Sequence, residues 1–379
     1  MIRDDSFVEG KIGNLVLKNR WIHSATHEGM AGDDGSCNDE IIELNRNIAA
    51  GGVSANIVSF SYVHESGKCL RGQIGIHRDE MTHGLRKMAE AIKKKQCRAF
   101  IQIGHAGCHA NSLYTGTQSI GPSEIYNVKG GYTRAMSKTE ISDAVGWFAT
   151  AAKRAKEAGF DGIQLHMAHG YLLSSFLSPH YNHRTDEYGG SIVNRLRFPL
   201  EVIKAVRSTT GDNYPIIIKL NCEDGLEDGT TYDLMGEYVA RLETSGIDAV
   251  ELSGGCGADG ALWPSSRGYD PKNIDDEGYF RKAASIYKNA CALPLILVGG
   301  NRSLEAGNCM VKQKTCDFIS VSRPLIREPE LINRWKSGDR TRSKCISCNL
   351  CRDRLFSGKE ATLKCPFREH NSEKKEEIE

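Results

Sequence analysis

Eight short runs rich in β-branched residues recur along the chain from residue 19, with longer helix-patterned stretches between most of them. The runs lie at 19–26, 55–63, 97–104, 161–168, 214–222, 248–255, 294–300 and 316–323. Helical patterns lie at 38–52, 138–158, 194–210, 230–245, 277–290 and 328–337, with a short one after the seventh run. Asn38 and the Ser137–Glu140 box have the chemistry of helix N-caps, and Gly51 that of a helix end. Strands that alternate with helices pair in parallel, because a parallel neighbour is reached only through a long crossover. Eight strands, and no GxGxxG after the first, select a closed (β/α)8 TIM barrel over an open doubly wound sheet. The reading assigns the barrel to 1–338 and a short cysteine-rich C-terminal extension to 339–379. The long loop 105–137 reads as a substrate lid, and the charged end 369–379 is expected to fray.

Charge excludes some partners. Lys and Arg total 49 against 48 Asp and Glu, a net charge of +1. That balance gives no footprint for nucleic acid or an anionic membrane, so a small-molecule substrate is expected. The first ten residues are charged and do not read as a secretory signal. No run of 18 apolar residues reads as a membrane span, and the expected location is the cytoplasm. Nine of the 13 cysteines are scattered singly, as reduced, buried residues are.

Polar residues stand where a barrel core is expected. Alternate side chains of a barrel strand face the interior. Ile101 and Ile103 suit the helix-facing side of the third strand, which turns Gln102 inward. The same alternation turns His166 inward on the fourth strand and Lys219 on the fifth. An amide, an imidazole and an ammonium are costly in a core, yet they cluster near the strand ends where this fold opens its active site. Gly299 and Gly300 end the seventh strand, and Ser322 and Arg323 the eighth. Loops after those strands often bind phosphate in TIM barrels, which suggests a phosphate-bearing cofactor.

These residues resemble the old yellow enzyme family of FMN oxidoreductases, over about 5–338. The most specific stretch is HMAHGYLLSSFLSPHYNHRTDEYGGSIVNRLRF at 166–198, supported by LKNRWIHSATHEG at 17–29 and IQIGHAG at 101–107. The resemblance implies that His166 and His169 hydrogen-bond the substrate's carbonyl or phenolate oxygen and that Tyr171 donates a proton. It implies that Gln102 meets the flavin pyrimidine edge and that Lys219 lies near flavin N1. Ser24, Ala25 and Thr26 would lie along the isoalloxazine; Gly299, Gly300, Ser322 and Arg323 would hold the phosphate. The implied activity is NAD(P)H-driven reduction of an activated C=C bond by non-covalent FMN. Cys108, Phe60, Ser61 and Asn301 depart from common family residues at their positions. A zinc site at His166 and His169 would need a third ligand from His23, His27 or His105.

Cys345, Cys348 and Cys351 are separated by two residues each, and Cys365 follows after thirteen more, ahead of Pro366. Four thiolates at this spacing suit a 4Fe-4S cluster, with structural zinc as the alternative. The tail resembles the iron–sulfur branch that includes dienoyl-CoA reductase and trimethylamine dehydrogenase, whose members continue into nucleotide-binding domains. A chain ending at 379 is expected to lack those domains, which leaves room for an electron-transfer partner protein; self-association stays open. The same tail makes an amine dehydrogenase or demethylase, or an electron-transfer subunit, the alternative reading. Trimethylamine dehydrogenase holds its flavin through a first-strand cysteine; His27 stands here, so a covalent flavin is not expected.

Overall fold

Every β-branched run forms a strand of one closed barrel. The computed structural model describes residues 4–127, 131–257, 261–262, 266–268, 273–356 and 362–368. In chain order the barrel strands are β1 (Trp21–His23), β2 (Ala55–Tyr62), β3 (Arg98–Gly104), β4 (Gly162–Met167), β5 (Ile216–Asn221), β6 (Ala249–Ser253), β7 (Leu295–Leu297) and β8 (Phe318–Val321). Each pairs in parallel with its neighbour, and β8 returns to β1 through Ile319↔Trp21 and Val321↔His23. The helices around it are α1 (Asp39–Ala50), α2 (Met81–Lys93), α3 (Lys138–Glu157), α4 (Ile192–Thr210), α5 (Tyr232–Leu242), α6 (Arg281–Ala290), α7 (Leu304–Lys312) and α8 (Leu331–Lys336). The fold is the expected (β/α)8 barrel.

Local chemistry sets the element ends. The Asn38 side chain accepts from the Ile41 amide at 3.0 Å, and Ser137 and Glu140 close a reciprocal capping box. Strands β1 and β7 are shorter than their sequence runs. Residues 25–26 and 298–300 leave the ladder and line a cavity.

The barrel interior is layered. Ile22, Ile57, Phe100, Ile217, Ala249, Ile296 and Phe318 form an apolar lower layer. Ile12 and Leu17, from the hairpin Gly10–Ile12 and Leu15–Leu17, join it and close the N-terminal end. Two residues further along their strands stand Ser24, Gln102, Lys219, Glu251 and Ser320, all buried. Strand period two therefore turns an oily floor into a polar layer one step higher.

Two elements go beyond the sequence expectations. Helix α2 buries Met81, Leu85, Met88, Ala89 and Ile92 against the core. The segment after β3 carries its own sheet, Ile120–Gly121, Ile125–Asn127 and Gly131–Ala135. Residues 369–379 lie outside those described. No helix among the described residues is long and apolar enough to cross a membrane.

Candidate functional site

One cavity opens at the C-terminal end of the barrel. It encloses about 1230 Å³ of empty space, counted out to its open mouth. Small-molecule and cofactor sites run to about 300–1,000 Å³. Ser24, Ala25, Thr26, Gln102, His166, His169, Tyr171, Lys219, Gly299, Gly300, Ser322 and Arg323 all line it. The structure thus gathers around one space residues that the chain scatters over 300 positions.

The floor is a hydrogen-bonded network around a carboxylate. Glu251 is fully buried. Its Oε1 accepts from Ser24 Oγ and Ser320 Oγ, each at 2.7 Å. Its Oε2 accepts from Gln164 Nε2 at 2.7 Å and pairs with Lys219 Nζ at 3.2 Å. Lys219 also donates to Ser24 Oγ at 2.9 Å, and Gln102 Nε2 donates to Gln164 Oε1 at 2.7 Å. Burial alone pushes the Glu251 carboxyl up; Lys219 and the three hydrogen bonds outweigh it and hold the group ionised below its usual value. The network fixes which edge of Gln102 and which end of Lys219 face the cavity. Glu251 and Gln164 were not singled out for this role in the sequence. The signal was there for Glu251: a lone acid between Val250 and Leu252 on a barrel strand.

Two imidazoles and a phenol stand above that floor. Ring centroids of His166 and His169 are 5.2 Å apart, and Tyr171 lies 4.7 Å from His166. Strand β4 aims His166 inward, where its Nδ1 accepts from the Ala168 amide at 3.3 Å. That bond leaves the ring proton on Nε2. His169 has a left-handed backbone, φ 65°. Its amide donates to Asn221 Oδ1 at 3.1 Å and its Nε2 meets Ser253 Oγ at 2.8 Å. With Ser253 as donor, the His169 proton sits on Nδ1. Burial, the neighbouring histidine and Lys219 push His166 well below the usual imidazole value; burial and then Lys219 push His169 down to about 3. Both rings are therefore neutral at pH 7. Burial, then Cys69, pushes the Tyr171 phenol well up, so it keeps its proton.

Phe60 also lines the cavity, packed 4.7 Å from the Tyr171 ring. The β2–β3 pairing slips between Val58 and Ser61, a bulge that turns Phe60 toward the site while Ser61 stays buried on Ser59 O. Cys108 is buried, its thiol on Gly170 O at 3.5 Å. Asn301 spans the Leu297 and Ser320 carbonyls at 3.0 and 2.9 Å and ties β7 to β8. Later in the 166–198 stretch, Arg184, Asp186 and Gly189 act as scaffold. Arg184 pairs with Asp186 through two bonds, 2.9 and 2.6 Å, and donates to Pro122 O and Met136 O in the segment after β3. A Cβ on Gly189 would fall 2.2 Å from Arg184 O, so glycine is required there.

The phosphate end is cationic. Gly299 (φ 121°) and Gly300 (φ 72°) use backbone that glycine favours, and a Cβ on Gly299 would meet the Tyr279 ring at 2.7 Å. Arg302, absent from the sequence expectations, lines the cavity with Arg323 and Lys219. Arg352, from the helix Leu350–Phe356, lines its outer wall. No Asp or Glu is among the described residues that line it. This donor set fits an anionic flavin mononucleotide.

Cys345, Cys348, Cys351 and Cys365 line a second cavity of about 640 Å³. Cys351 and Arg323 line both cavities, so the two adjoin. Burial, then Cys345, pushes the Cys351 thiol up to about 11. Among the described residues, no three His, Cys, Asp or Glu side chains are close enough to share one metal ion; that covers the four thiols and the histidines near His166.

The model of the NADH:flavin oxidoreductase / NADH oxidase family matches residues 7–342. NADH oxidase of Thermoanaerobacter brockii is 34% identical over 91% of this chain and 52% of its own length. The 4,4'-dithiodibutanoate disulfide reductase of Rhodococcus erythropolis is 30% identical over 93% of each chain. A 2-naphthoyl-CoA reductase structure superposes with a TM-score of 0.84, at 26% identity, over 91% of this chain and 54% of its own. The chain thus spans about half the length of some relatives and nearly all of others. It belongs to the NADH:flavin oxidoreductase / NADH oxidase family, the old yellow enzyme type of flavoenzyme.

Proposed function

We propose that this chain is an FMN-dependent oxidoreductase that reduces an activated, α,β-unsaturated carbonyl-type C=C bond at the expense of NAD(P)H. The observation that carries the reading is the cavity in which two neutral imidazoles and a protonated phenol face a cationic, carboxylate-free lining. FMN, when bound, would supply the hydride chemistry that links the nicotinamide to the alkene's β-carbon. His166 and His169 hold the substrate's carbonyl oxygen and stabilise the negative charge that develops on it, as preorganised donors do. Tyr171 gives its Oη proton to the α-carbon as general acid. Lys219 would supply positive charge to the bound flavin, and Glu251 holds that ammonium in place. The carboxylate-free lining disfavours a cationic amine as substrate.

The four cysteines would hold a 4Fe-4S cluster rather than zinc. The four thiols line one cavity, and a Cys-x2-Cys-x2-Cys run followed by a later Cys-Pro is spacing that suits a cluster. Such a centre beside the flavin site would pass single electrons to or from a partner protein. Steady-state oxidation of NADPH or NADH with 2-cyclohexenone under nitrogen tests the first reading; cyclohexanone is the expected product. NAD(P)H oxidation that enone never accelerates would contradict it. Iron, sulfide and zinc analysis after anaerobic purification tests the second: about four irons support the cluster, and one zinc contradicts it.

A further inference from the structure

One side chain of the cysteine loop grips an arginine that lines the flavin cavity. Asn349 stands between Cys348 and Cys351. Its Oδ1 accepts from Arg323 Nη1 at 2.6 Å, and its Nδ2 donates to Ser266 O at 3.1 Å. Arg323 Nη1 also donates to Arg267 O at 2.8 Å. Both bonds fall on one terminal nitrogen. Among the described residues, Nε and Nη2 of Arg323 carry no hydrogen bond, and they form one planar edge of the guanidinium. That edge is the geometry that binds two oxygens of a phosphate at once. Arg323 lines both the flavin cavity and the cysteine cavity.

A second tie runs alongside. Ser347, two residues earlier, hydrogen-bonds the buried Arg302 side chain, and the Ser343 amide donates to Arg302 O at 2.8 Å. Ser347 and Asn349 both use left-handed backbone, φ 56° and 62°. Asparagine tolerates that region better than most residues. The turn thereby presents the Asn349 amide to Arg323 while its flanking cysteines face the second cavity.

We propose that Asn349 is a positioning residue for the flavin phosphate: it clamps Nη1 of Arg323, so that the Nε–Nη2 edge faces the phosphate. The order of the cysteine loop then sets flavin affinity. By linkage, phosphate binding orders the cysteine loop to the same degree. This rests on the FMN reading above and adds a coupling between the two cavities.

The test compares FMN with riboflavin, which lacks the phosphate. Flavin is removed from the full chain and each ligand is titrated back, followed by quenching of flavin fluorescence. Asn349→Gly removes the amide and leaves the left-handed backbone unstrained. Asn349→Asp keeps an acceptor for Nη1. The expected result is FMN affinity weakened about tenfold in Asn349→Gly, riboflavin affinity unchanged, and FMN affinity near the parent's in Asn349→Asp. Unchanged FMN affinity in Asn349→Gly would overturn the proposal. Equal weakening of FMN and riboflavin would overturn it too, as damage to the whole site. If the parent binds neither flavin, the FMN reading itself fails, a separate outcome.

Discussion

Changing Glu251 to Gln removes the most buried charge in the site and sets an NH2 group against the Gln164 donor. Both Glu251 and Lys219 are almost fully buried, at 0% and 4% exposure. The glutamine keeps an acceptor for Ser24 and Ser320 but leaves the Lys219 ammonium without its counter-ion. Removing one partner of a buried ion pair costs about 3–5 kcal/mol, a large share of the roughly 5–15 kcal/mol that stabilises a domain. Unfolding entropy for a barrel of this length is about 0.7 kcal/mol/K, so Tm should fall by about 4–7 °C. Adding Lys219→Met removes the orphaned charge as well, and most of the loss should return. Heat scans belong on flavin-free protein, because bound ligand shifts Tm by itself. A Glu251→Gln variant as stable as the parent would refute the reasoning. So would a double variant that loses the sum of the two single losses, because coupled partners are not additive.

Tyr171→Phe should slow oxidation of the reduced flavin by an enone about 10²–10⁴-fold and leave flavin reduction by NAD(P)H near the parent rate; stopped-flow of each half-reaction separates them, and equal loss in both would remove Tyr171 from the protonation step. Stability should fall in acid through buried neutral histidines. Burial holds His23 at about 4 and His105 at about 3, against an ordinary 6.5, so the unfolded chain binds the extra protons. Their stabilisation is complete above pH 6.5 and lost as pH falls toward 4, at about 1.4 kcal/mol per unit for each ring. Glu28 opposes them: burial raises it to about 7, so it favours the folded state below pH 4.5 and loses that contribution as pH rises through 7. Urea midpoints from pH 4 to 8 should therefore drop on the acid side; a flat profile would contradict the neutral, buried histidines.

Strand period two carried most of what was legible. It turned Gln102, His166 and Lys219 inward because their neighbours are isoleucine and leucine. The same rule turns Glu251 inward, between Val250 and Leu252. Helix α2 has apolar residues at 81, 85, 88, 89 and 92, a helical period diluted by its lysines. Other features have no local signature. The Asn349–Arg323 bond joins residues 26 apart, and the Ser24–Glu251 bond joins residues 227 apart. Their geometry exists only once the barrel closes. The bulge at Val58–Ser61 that aims Phe60 is likewise a pairing event between two strands, invisible in either alone.

The most direct test of the account is an anaerobic absorbance experiment on the purified protein. The account predicts a flavin spectrum, with FMN released intact on acid precipitation. It predicts that NAD(P)H bleaches that spectrum and that 2-cyclohexenone restores it, one alkene reduced per flavin reoxidised. Flavin that stays bleached in excess enone, or a purified protein with no flavin at all, would contradict it.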